Sequence, residues 1–212
     1  MDFEIIKPAD IEKRSFAIIT EELGDRVFPE EIGLVVKRVI HTSADFDYAD
    51  NLVFSEGVVP HALEAIRRGA HIVTDTNMVK AGINKKTLAK FGGEVHCFVA
   101  DSDVAEEAKK RGVTRSTVSM ERAAQLDVPV IFAIGNAPTA LIELDRLMRE
   151  QQLKPELIIG VPVGFVNVVE SKELILQSSA PHIVARGRKG GSNVAAAIVN
   201  ALLYQLVHRE GF

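Results

Sequence analysis

The 212 residues, 47% hydrophobic and 25% charged, are enough for a sizeable core and read as one domain, with N-terminal helices over 1–70 packed on an α/β core over 71–212. A net charge of −4 argues against a general nucleic-acid binder, so a polyanionic ligand would have to be met by local cations and backbone N–H groups. The single Cys97 excludes an internal disulfide framework, the polar opening MDFEIIKPADIEKR is no signal peptide, and no apolar run spans a bilayer; a cytoplasmic protein without membrane contact is expected.

The first expected helix covers residues 8–23, with Ile11, Ile18 and Ile19 on its apolar face and Ser15 on the same side. A serine so placed bonds back to its own helix more often than it meets a ligand. The second helix, 29–40, has a core stripe of Ile32, Val35, Val36, Val39 and Ile40. Its other face presents Leu34, Lys37, Arg38 and His41, and an apolar Leu34 there calls for a cover, either a ligand or a partner subunit. His41-Thr-Ser-Ala-Asp45 ends the helix and leads into an irregular region reaching Pro60. Spacing alone fits a helix-terminal histidine held by the dipole as well as it fits a catalytic one. For catalysis, Arg38 one turn earlier would lower the pKa of His41, and Asp45 would orient the ring and raise it.

Beyond Pro60, strands and helices alternate. Apolar β runs at 71–75, 95–99, 129–134, 157–161 and 182–186 are separated by helical stretches near 85–91, 103–111, 116–126, 140–152 and 165–177, and a helix over 192–207 closes the chain. This alternation predicts a three-layer, flavodoxin-like fold: a parallel five-stranded sheet in the order 2-1-3-4-5 with helices on both faces. The clearest stretch is VPVIFAIGNAPTAL (128–141), a strand apolar on both faces, broken by Gly135-Asn136, with Pro138 suited to the first turn of the next helix. The crevice at the strands' carboxyl ends would be lined by Asp75-Thr-Asn77 and Gly135-Asn136.

Three strand exits carry glycine: Gly135-Asn136, Gly160–Gly164, and Gly187-Arg-Lys-Gly190-Gly191-Ser192, which opens the last helix. Each alone fits a tight turn; converging on one edge, they suggest backbone donors for a large ligand with several acidic groups, with Asn77, Asn136, Gly190 and Gly191 among its contacts. Neither a P-loop order nor a G-x-G-x-x-G after the first strand is present. His71, His96 and His182 lie near strand beginnings, away from this edge, and His61 and His208 have no ligand partner at helical spacing, so no protein-held metal is expected.

Taken together, VIHTSAD (39–45), TDTNMVKAGI (74–83), TRS (114–116), AIGNAPTAL (133–141), GVPVGFVNVVESK (160–172) and GRKGGSNVAAAIVNAL (187–202) resemble the precorrin-8X methylmutase family, which includes the cobalt-precorrin-8 enzymes of cobalamin synthesis. The resemblance covers nearly the whole chain with the motifs in order. It implies a flavodoxin-like homodimer that moves a methyl group from carbon 11 to carbon 12 of a corrinoid macrocycle, giving hydrogenobyrinate or cobyrinate. The family's catalytic histidine matches His41, and its substrate-binding positions fall on Ser15, Arg38 and Arg115. Where some family members have a cysteine after the histidine, this chain has Thr42-Ser43, so no nucleophile is implied there. An intramolecular shift needs no cofactor; it needs a proton-transfer group and a fixed macrocycle, and the substrate's carboxylates would explain local cations in an acidic protein. A non-catalytic tetrapyrrole carrier, or a phosphate-binding α/β module, remain the other readings.

Overall fold

The computed structural model describes residues 6, 7 and 10–207. Pro8, expected in the first helix, and His208 lie outside them. Helix α1 (Ile11–Leu23) and α2 (Glu30–Ser43) are followed by a single turn, α3 (Tyr48–Asn51), strand β1 (Leu52–Phe54) and α4 (Val58–Arg67). The core then runs β2 (His71–Thr74), α5 (Asn77–Gly82), α6 (Lys85–Ala89), β3 (Val95–His96), α7 (Ser102–Arg111), α8 (Arg115–Ala123), β4 (Val130–Ile134), α9 (Pro138–Gln151), β5 (Leu157–Gly160), α10 (Val168–Gln177), β6 (His182–Ala185) and α11 (Ser192–Leu206).

One sheet holds all six strands in the order β1-β6-β5-β4-β2-β3. Strands β2 to β6 pair in parallel, whereas β1 pairs antiparallel with β6, Leu52 opposite Ala185 and Phe54 opposite Ile183. The expected five-stranded, all-parallel flavodoxin-like sheet is therefore corrected to a mixed sheet of six strands. The region from His41 to Pro60 is not irregular either: it supplies the added edge strand and two helices. Three residues without alternation, set between short helices, carry too little periodicity to be read as a strand.

Alternation explains the layers. In β4, Val130, Phe132 and Ile134 point to one face, where they pack with Met120 of α8, Leu141 and Leu144 of α9 and Ile175 of α10. Ile131 and Ala133 point to the other, against Val79 of α5 and the small-residue face of α11. All five residues are buried, as the unbroken apolar run requires. On the α11 side, α2 packs on α11 and α1 packs on α2, so the first two helices lie outside the last one. The core stripe of α2 holds as read, with Val35, Val36, Val39 and Ile40 fully covered. The helix ends at Ala44, left-handed at φ 54°, whose N–H donates to the Ile40 carbonyl and turns the chain toward the sheet edge.

Candidate active site

At the carboxyl edge of the sheet the three glycine-bearing exits do meet, but they are fastened to one another. The carboxylate of Asp75, one residue past β2 and fully buried, accepts the N–H groups of Gly135 at 2.9 Å, Asn136 at 2.7 Å and Ala137 at 2.6 Å. Burial pushes this carboxyl's pKa up, while the three donors pull it down by favouring the charged form. A Cβ on Gly135 would stand 2.8 Å from Ser192 Cα, so β4 can leave the sheet here only as glycine. Gly190 has φ +159°, and a Cβ there would lie 2.1 Å from the Val161 carbonyl, to which the Gly191 N–H donates at 2.9 Å. The backbone donors of Gly135, Asn136 and Gly191 are thus committed within the protein, which corrects the expectation that they face a ligand.

Beneath this knot lies Lys172 of α10, 1% exposed, whose Nζ donates to the carbonyls of Gly187 and Lys189 at 2.8 Å each. Burial lowers its pKa to about 8. Asn77, the first residue of α5, and Asn136 keep exposed side chains at this edge. Thr76, which caps α5 through the Val79 N–H, also bonds Ser192 Oγ at 3.0 Å, tying the starts of α5 and α11 together.

The second part of the site is the α1–α2 pair. Arg38 is buried, not on a solvated face: its guanidinium pairs with Glu12 of α1 and lies 4.7 Å from the Phe16 ring centroid and 5.2 Å from that of Tyr204 in α11. One turn on, the exposed His41 ring sits against Phe16, centroids 5.4 Å apart. Its pKa is lowered by partial burial and then by Arg38, with Glu12 pulling the other way. Glu12, not Asp45, is the opposing charge. Asp45 and Asp47 instead bind Lys189 Nζ at 2.7 and 2.5 Å, which anchors the end of α2 to the glycine-rich exit of β6 and holds the Asp45 carboxyl below its usual range. Ser15 is half-buried on the same helix as Glu12 and Phe16, and its hydroxyl donates to the Ile11 carbonyl at 3.0 Å, the local bond expected of it. Leu34 is partly covered and lines a cleft of about 430 Å³ with Leu23, Val27 and Phe28, so α1 and its following loop supply part of the cover it called for.

Arg115 opens α8, exposed, on the opposite side of the sheet from Arg38 and His41. Thr114 beside it bonds Thr139 at the start of α9, which keeps Arg115 at the exit of β4. His41, Ser15 and Arg38 are therefore brought together, and Asn77, Asn136, Gly190 and Gly191 share the adjoining edge, whereas Arg115 stands apart from them at the start of α8 on the far face. Sequence reasoning missed Glu12, Phe16 and Lys189 as neighbours and Lys172 and Asp75 as supports. For Lys172 a signal existed: it falls with Val168, Ser171 and Ile175 on the buried stripe of α10.

Among the other histidines, His61 pairs with Glu156 at 3.0 Å and His182 Nδ1 lies 2.9 Å from the Ala180 carbonyl. His71 and His96 are hydrogen-bonded to each other. No helix among the described residues is long and apolar enough to cross a membrane.

A family model described as precorrin-8X methylmutase matches residues 10–205. A cobalt-precorrin-8 methylmutase of Priestia megaterium is 47% identical, the match covering 93% of this chain and 88% of that protein. The Salmonella typhimurium protein of the same name is 46% identical over 95% of this chain and 97% of its own length. The crystal structure of a precorrin-8X methylmutase from Thermus thermophilus superposes with a TM-score of 0.86 at 38% identity, covering 94% of this chain and 98% of that one.

Proposed function

Because this chain belongs to the precorrin-8X methylmutase family, we infer that it is an isomerase that moves a methyl group within a corrinoid macrocycle during cobalamin biosynthesis, with His41 as the proton-transfer group. The observation that carries the assignment of His41 is its setting: an accessible imidazole against Phe16, one turn from a buried cation, at the end of a helix tied to the sheet edge. Protonating a ring nitrogen near neutral pH draws electron density from the macrocycle and lets the methyl group migrate between adjacent carbons. In the free protein, burial and Arg38 favour the neutral ring; an anionic substrate beside it raises its pKa and brings the proton on as the complex forms.

Arg38, Ser15 and Arg115 are proposed to hold the substrate's peripheral carboxylates, with Asn77 and Asn136 along the edge between the two faces. Gly190 and Gly191 act as the floor, by letting the β6 exit lie close on Val161. Cobalt-precorrin-8 is the substrate to test first, since relatives at 43 to 47% identity carry that name. The second subunit of a homodimer is proposed to cover the exposed apolar residues at this edge, Met78, Phe165 and Val166. The test is turnover of cobalt-precorrin-8 and of its metal-free counterpart, followed by the change in the pigment's absorption. Binding without turnover of either would make the protein a carrier, and a monomer by light scattering would remove the proposed cover.

A further inference from the structure

We propose that His71, Glu94 and His96 form a binding site for a divalent transition-metal ion of the zinc class, at the sheet edge away from His41. The strand pattern puts them together. Residues two apart on a strand share a face, so Glu94 and His96 project to the same side, as do His71 and Val73. The register sets Val73 opposite His96 and Ile72 opposite Val95, which brings Glu94 across from His71 one step earlier. Val73 belongs to the α8–α9 side of the core, so all three candidate ligands emerge on that side at the outer, two-residue strand β3.

The donor atoms of the three side chains lie within 4.8 Å of one another. His71 Nδ1 and His96 Nε2 face each other at 2.8 Å, with the rings stacked at 18° and centroids 5.0 Å apart. Tetrahedral zinc with bonds near 2.0–2.1 Å holds two ligand nitrogens about 3.3 Å apart, so an opening of roughly half an ångström admits the ion. The backbone is already fixed: Ile72 N–H donates to the Glu94 carbonyl at 2.8 Å, His71 N–H to the Pro129 carbonyl at 2.9 Å, and Thr74 Oγ1 to the His96 carbonyl at 3.2 Å. Phe98 stacks on the outer side of His96, centroids 5.9 Å apart, and restricts its ring. Two neutral imidazoles and one carboxylate are the donor set of an open zinc site, leaving room for water. For both rings to bind as neutral imidazoles, the ring that carries the proton between the two facing nitrogens gives it up there and takes one up at its other nitrogen, so a neutral pair binds the ion with no net proton release. Lys80 acts on His96 as a like charge and opposes the ion, while Glu94 favours it.

Zinc titrated calorimetrically into chelator-treated full chain should bind at one ion per chain. His71→Ala and His96→Ala should each loosen it by more than the roughly 10–100-fold that loss of an outer-shell partner causes. Glu94→Gln should have a smaller effect, and His61→Ala, remote from the cluster, none. Wild-type crystals soaked in zinc should show an anomalous peak between His71 and His96, a readout that does not depend on how the variants fold. Absence of that peak, or affinity retained in the His71→Ala/His96→Ala double variant, would overturn the site and leave the pair as a hydrogen-bonded clamp on an edge strand.

Discussion

The two halves of the candidate site are built on opposite plans. At the strand exits, polar groups face inward: Asp75 takes three backbone donors, Lys172 takes two carbonyls, and Gly190 is pressed on Val161. On the α1–α2 pair they stay within reach of solvent or of one another, as His41, Ser15 and the Arg38–Glu12 pair show. The first half fixes a shape, and the second holds the groups proposed to carry the chemistry. Glycine-rich strand exits are therefore a poor guide to ligand contacts here, because their donors are used in folding.

That contrast can be broken at either end. The largest effect is expected at His41: alanine there should lower turnover by about 10²–10⁴-fold with little change in thermal unfolding, since the ring is exposed. Full activity would move the proton transfer elsewhere. Asp75→Ala should act the other way, on the fold. Three N–H groups lose their acceptor, each at about 1–3 kcal/mol, so urea unfolding should show a loss of roughly 3 kcal/mol or more. A loss under about 1 kcal/mol would mean that water serves the donors as well.

Arg38 blurs the division, because it belongs to the chemical half and yet is buried between Phe16 and Tyr204. Its alanine variant should loosen the coloured product by about 10- to 100-fold and also destabilise the chain, with lysine recovering only part of either. Unchanged affinity with lowered stability would place it wholly in the scaffold. The smallest effect concerns Lys172 and pH. Its pKa is about 8 in the folded protein and near 10.5 when unfolded, so between these values the unfolded chain binds more protons. The stability of the wild type relative to Lys172→Met should therefore rise as pH climbs from 8 to 10.5, and a flat difference over that window would show that the ammonium is not desolvated.

Most of the parallel strands and their helices are legible in the sequence because each β run is apolar on both faces and each is followed by helical spacing. What escapes is set by distant contacts. Nothing local marks Leu52–Phe54 as a strand; its identity comes from β6, well over a hundred residues on. Helical periodicity puts Arg38 on a polar face, correctly for α2 alone, but α1 then docks on that face. Asp75 at a strand's end reads as a residue facing a ligand, and only the neighbouring position of β4 turns it inward. Local spacing leaves the role of His41 open, and the role proposed for it rests on the family resemblance.

The pairing of β1 with β6, and the packing of α2 on α11, bear on how the chain is made. His41 and Arg38 leave the ribosome well before Lys189, which holds the end of α2, and Tyr204, which packs on Arg38. At translation rates of about 5–20 residues per second, this segment waits roughly 7–30 s for its partners. During that interval the apolar stripe of α2 is uncovered, and a nascent chain stalled before β6 would be expected to recruit chaperones through it.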